Sequence, residues 1–147
     1  MKIGLFLTLA LLVSCSRSEP PETIIRTLYD EHKPQHERGI DFDDTQQVAR
    51  YFSPELTALF AKDTACKEQT KEQCNLGFDP VFAAQDYDDK PLDLAIETLS
   101  PTRYKATFTN ITRRSLIYDV VETPAGWRVA DITYPDSEGS LKALLAQ

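Results

Sequence analysis

The stretch Phe78 to Asp89 (FDPVFAAQDYDD) carries Asp79, Gln85, Asp86, Tyr87, Asp88 and Asp89. Carboxylates beside a phenol are the parts of an acid–base site, in which one group takes a proton and another gives it once burial or a nearby charge has moved a pKa. Asp86 with Tyr87 is the pairing that would do this work, and Asp79 belongs to the same candidate rim. Asp86, Asp88 and Asp89 also offer oxygens to calcium, although the glycine and distal glutamate of an EF-hand loop are missing. The plainer reading is that Asp79 before Pro80 makes a turn and that Asp88 and Asp89 lead a solvated loop. Asp131, between Val129 and Thr133 and in phase with Trp127, is a second candidate for a general base. Its alternative is a carboxylate that accepts hydrogen bonds or faces water. His32 and His36 are four apart, the spacing of a helical metal pair, but Pro34 between them breaks that geometry, and His32 continues an apolar stripe instead. No GxSxG, no nucleophilic cysteine and no glycine-rich phosphate loop occurs, so the sequence supports no nucleophilic catalysis and calls for no cofactor.

Cysteine chemistry is more specific. Lys2 is followed by a nearly unbroken apolar run from Ile3 to Val13, the length of a signal-peptide core and short of the roughly 20 residues that span a bilayer. The run ends on Leu12, Val13, Ser14 and Cys15, which resemble a bacterial lipobox. That resemblance implies that Cys15 is lipidated and becomes the first mature residue, with an ordinary signal peptide as the alternative. Several acyl chains make a stable anchor where one does not. Ser16, in place of aspartate, resembles a signal for the outer membrane. Residues 16–21 (SRSEPP) then read as a tether of at most about 20 Å. Cys66 and Cys74 remain. In an oxidising periplasm an even remainder points to a disulfide, although two free thiols or half of a metal site stay open.

Lysine and arginine number 16 against 23 aspartate and glutamate, a net charge of −7. Nucleic acid as a partner is disfavoured, because its binding rests on basic side chains meeting phosphates. Broad adhesion to anionic lipid is disfavoured for the same reason. The chain divides into a leader (1–14), a lipidated cysteine and tether (15–21) and one domain (22–147), long enough to bury a core.

Helices come first in that domain. Residues 22–33 place Ile24, Ile25, Leu28, Tyr29 and His32 at helical spacing, and Pro34 and Gly39 end the run. Residues 43–51 read as a second short helix. Ser53, Pro54 and Glu55 open a third, expected to reach about Lys67. Strands follow: Leu92 to Thr98, Arg103 to Asn110, Ser115 to Thr123 and Trp127 to Tyr134, with a tight link at Pro124, Ala125 and Gly126. Ser137 to Gln147 reads as a final helix. Helices first and an antiparallel meander second make an α+β domain, with helices on one face of a curved sheet. Tyr104, Phe108, Tyr118 and Trp127 read as core residues more readily than as a binding box.

The run of YFSPELTALF, FDP, GWRVADITY and a terminal SLKALL helix resembles bacterial lipoproteins of the domain-of-unknown-function family 3828, in the nuclear-transport-factor-2-like superfamily. The likeness covers roughly Thr23 to Leu145. It implies a cone-shaped domain whose bent sheet wraps helices around a pocket at the wide end. It implies no single chemistry, because relatives include isomerases, hydrolases, dehydratases and plain binding proteins.

The expectation is therefore a periplasmic lipoprotein anchored to the outer membrane. It would be a non-enzymatic binding or accessory module for an envelope protein or a small apolar ligand. A pocket enzyme working through Asp131, or through Asp86 with Tyr87, and a periplasmic immunity protein are the alternatives.

Overall fold

The computed structural model describes residues 19–34, 39–137 and 139–147. The leader, Cys15, residues 16–18 of the tether and His36 lie outside the described residues. Helix α1 (Thr23–Glu31) buries Ile25, Leu28 and Tyr29, one face at helical spacing. It stops short of Lys33 because His32 turns to extended backbone, at φ −88 and ψ 98. Helix α2 (Thr45–Val48) is a single turn, shorter than the segment 43–51. Its cap is Asp44, whose side chain accepts from the backbone N–H groups of Gln46 and Gln47. Helix α3 (Pro54–Thr70) starts where Ser53, Pro54 and Glu55 indicate. The Ser53 side chain accepts from the Leu56 N–H. The helix continues past Lys67 and ends at Lys71, which adopts the left-handed conformation. Cys66 in its last turns and Cys74 just beyond are disulfide-bonded, with Cα atoms 6.2 Å apart.

The second half is a five-stranded antiparallel meander in the order β1-β2-β3-β4-β5. Its strands are β1 (Ala95–Ser100), β2 (Arg103–Asn110), β3 (Thr112–Thr123), β4 (Gly126–Tyr134) and β5 (Gly139–Ser140). Strand β1 begins three residues after Leu92, because Asp93 sits at φ 48 and interrupts the extended run. Strand β5 replaces the start expected for the last helix. Gly139 and Ser140 pair with Tyr134 and Thr133, and α4 (Leu141–Leu145) follows with Ser140 as its N-cap.

In β2, Tyr104, Ala106, Phe108 and Asn110 are buried in strict alternation. In β3 the buried phase is Leu116, Tyr118 and Val120. With Ile25, Leu28, Phe52, Leu56 and Phe60 of the helical half, the apolar members of these two phases form one continuous core. The fold is thus α+β, helices followed by an open antiparallel sheet. Among the described residues, no helix is long and apolar enough to cross a membrane.

Candidate functional site

Between α3 and β1 the chain has no regular structure, yet Val81 and Phe82 are buried at 0 % and 1 % exposure. Backbone polar groups buried outside helix and sheet must find other partners. Here the partners are side chains. Asp79 Oδ1 accepts from the N–H groups of Val81 (2.8 Å) and Phe82 (3.1 Å). The Val81 carbonyl accepts from Tyr29 Oη at 3.1 Å, and that hydroxyl in turn accepts from Tyr118 Oη at 2.9 Å. The Pro80 carbonyl accepts from Tyr134 Oη at 3.1 Å. Buried Asn110 ties down the far end of the loop. Its Nδ2 donates to the Asp86 carbonyl, and its Oδ1 accepts from the Asp88 N–H, both at 2.9 Å.

Asp79 is the hub. Its second oxygen receives His32 Nε2 at 2.5 Å and Tyr87 Oη at 2.9 Å. The Ile40 N–H donates to His32 Nδ1 at 3.0 Å, so the ring carries its proton on Nε2 and donates it to Asp79. Both ring nitrogens are engaged. Asp79 likewise accepts four hydrogen bonds and has no oxygen left to offer. Burial, reinforced by the Asp79 carboxylate, raises the Tyr87 hydroxyl above its ordinary pKa and keeps it a donor. Gly39 is required at its position, because a Cβ there would lie 2.5 Å from His32 Nδ1. This cluster borders a hollow of about 380 Å³ that also touches Phe42, Asp43 and Lys67. Burial would raise the Asp43 carboxyl, but hydrogen bonds from Lys67 and Thr64 outweigh it and hold that carboxyl low.

On the other side of the same loop is a cavity of about 480 Å³, within the range of roughly 300–1,000 Å³ typical of small-molecule sites. Phe78, Leu116 and Tyr134 give it apolar wall; Asp86, Arg114 and Asp136 give it charge. Two of its wall residues have strained backbone, Ala83 at φ 50 and Ile111 at φ 54. Positive φ is rare for a residue with a Cβ and more so for a β-branched one, and such strain tends to gather at ligand clamps. Ile111 is also 59 % exposed, at the turn that joins β2 to β3.

The sequence candidates separate in space. Asp79 and Tyr87 meet in the buried cluster, with His32 as the third member. Asp86 instead lines the larger cavity, so Tyr87 pairs with Asp79 and not with Asp86. Asp88 is bound to the Lys90 backbone and ammonium groups, the backbone contact being the main cause of its lowered pKa. Asp89 borders a separate hollow beside Tyr29 and Lys33. Among the described residues, no three acidic, histidine or cysteine side chains converge on a point where a metal would sit.

Asp131 requires a correction. A bulge in the β3–β4 pairing places Asp119 opposite Asp131 but Val120 opposite Val129. Ile132 and Tyr134 therefore take the core side, and Asp131 leaves the phase of Trp127 and Val129. Its Oδ1 accepts from the N–H groups of Ile132 (2.8 Å) and Lys142 (2.9 Å), fastening α4 to the sheet.

The sequence reading missed two members of the larger site. Asn110 and Arg114 both fall in core-facing registers, Asn110 in phase with Phe108 and Arg114 with Leu116 and Tyr118. Beginning the third strand at Ser115 left Arg114 out. A polar residue in an apolar phase was the available signal.

No family model matches the chain, and no curated protein matches it. Among solved structures it is similar to a protein of unknown function from Bacteroides thetaiotaomicron VPI-5482. The TM-score is 0.46 and the identity 17%, over 76% of this chain and 86% of the other.

Proposed function

We propose that this is a non-enzymatic binding module of the cell envelope, whose working part is the cavity lined by Phe78, Arg114, Leu116 and Tyr134. The observation that carries the reading is the division of labour around the loop Asp79–Tyr87. Asp79 and His32, with Tyr87 donating to Asp79, are saturated with internal hydrogen bonds, which serves positioning and leaves neither as a free base. The cavity on the other side combines volume, apolar wall, charge and strained backbone. The reading includes a lipid anchor at Cys15 on the periplasmic face of the outer membrane, supported by the apolar leader and Leu12-Val13-Ser14-Cys15. The Cys66–Cys74 bond agrees with an oxidising compartment. It also includes membership of the family 3828 lipoproteins and their cone-shaped, nuclear-transport-factor-2-like fold, supported by helices that precede an antiparallel meander. The occupant is a small ligand with apolar surface, and an envelope protein is the second class of partner.

Native mass spectrometry of the protein taken from its own cells tests this reading. The expected result is a mature chain that begins at an acylated Cys15 and carries a small molecule released on denaturation. Ala84→Trp, which fills the cavity, should abolish that co-purification at unchanged fold. An occupant retained by Ala84→Trp, or an empty wild type, would remove the cavity from the argument.

A further inference from the structure

The charge layout of the cavity narrows the occupant. Arg114 shares the phase of β3 that turns toward the core, so it is a cation on the core side of the sheet. Its Nε is buried and has no hydrogen-bond partner among the described residues. Nor does its guanidinium form an ion pair there. A buried donor left unpaired is destabilising, and more so when charged. A guanidinium presents parallel N–H groups that match the two oxygens of a carboxylate. The acids of the cavity are arranged the opposite way. Asp86 and Asp136 are exposed at the wall and belong to no ion pair among the described residues. Apolar surface from Phe78, Leu116 and Tyr134 shares the same cavity.

An anion alone would answer Arg114 but meet repulsion from the two exposed carboxylates. A cation alone would leave the Arg114 guanidinium without a counter-charge. A molecule with both charges and an apolar body answers all three parts of the wall. We infer that the cavity takes an apolar zwitterion, a free amino acid or short peptide, with its carboxylate on Arg114 and its ammonium toward Asp86 and Asp136. This rests on the reading of the cavity as a binding site.

Calorimetry on the detergent-solubilised full-length protein tests it with three probes: leucyl-leucine, its N-acetyl form and its amide. Leucyl-leucine should bind saturably, and removing either charge should weaken binding about tenfold or more. Arg114→Gln should weaken leucyl-leucine by a similar factor and leave the amide unaffected. The double variant Asp86→Asn, Asp136→Asn should remove the penalty of N-acetylation. Arg114→Lys, which keeps the charge, guards against a folding defect and should bind better than Arg114→Gln at equal thermal stability. Equal binding of all three probes, or an Arg114→Gln protein that binds like wild type, overturns the inference. If leucyl-leucine does not bind while a co-purified molecule is still lost in Ala84→Trp, the zwitterion is wrong and the binding site stands. If both experiments find the cavity empty, both readings fall.

Discussion

At the scale of single residues, Asp79 is the most heavily used side chain among the described residues. One carboxylate serves two backbone N–H groups, a histidine and a tyrosine, and so holds α1, the loop and the turn after Tyr87 in one arrangement. Asp79→Asn keeps the shape but sets an amide N–H₂ against donors. His32 cannot change tautomer to help, because Nδ1 is already accepting from Ile40. The expected loss is about 2–4 kcal/mol of unfolding free energy, read from the urea midpoint. A loss under about 0.5 kcal/mol, the usual size for a surface substitution, would mean that the cluster is dispensable. His32 itself was legible as a partly buried histidine at a helix end. Its partner, 47 positions away, was not, because nothing local links residue 32 to residue 79.

At the scale of elements, the turn between β2 and β3 holds strain that can be measured. Ile111 is mostly exposed, so it gains little by burial, and its left-handed backbone costs roughly 1–2 kcal/mol. Ile111→Gly relieves that cost and adds chain entropy to the unfolded state, leaving a net stabilisation of about 0.5–1 kcal/mol. A thermal midpoint that rises by a few degrees checks this. A fall would show that the isoleucine side chain packs more than its exposure indicates. The disulfide is a second such device. Its separation of 8 positions closes a short loop, for which chain entropy gives about 2.5 kcal/mol. Reduction should lower stability by about that amount, as a shift in urea midpoint between oxidised and reduced protein.

At the scale of the whole molecule, the six tyrosines share one direction of shift. All are shifted above the ordinary value of 10.0, in each case chiefly by burial, Tyr51 to about 12. A raised folded-state pKa means that the native state holds its protons more tightly than the unfolded state. The associated stability is complete below pH 10 and is lost as pH rises through the folded values. Tyrosinate absorbance should therefore stay low through pH 10 and grow together with the loss of far-ultraviolet circular dichroism. A separate, earlier tyrosinate step with structure intact would contradict the buried tyrosine network. The aromatic phase of β2 and β3 was visible in the sequence as core. Its hydroxyl ends, which hold the loop carbonyls, were not.

Local chemistry accounts for much of what could be read before folding. Period-two and helical spacing identify the order of helices and strands, because side-chain alternation is a property of the backbone itself. Ser53-Pro54-Glu55 marks a helix start for equally local reasons, and two leftover cysteines point to each other. What escaped depends on distance through space. The bulge that takes Asp131 off the core side comes from the pairing of β3 with β4. The separation of Asp86 from Tyr87 comes from two cavities forming on opposite sides of one loop. The core-side placement of Arg114 comes from the register of a strand end against that loop. Burial and hydrogen-bond completion are properties of surroundings assembled from distant residues, and those surroundings turn a run of acids and a tyrosine into a hub on one side and a charged cavity on the other.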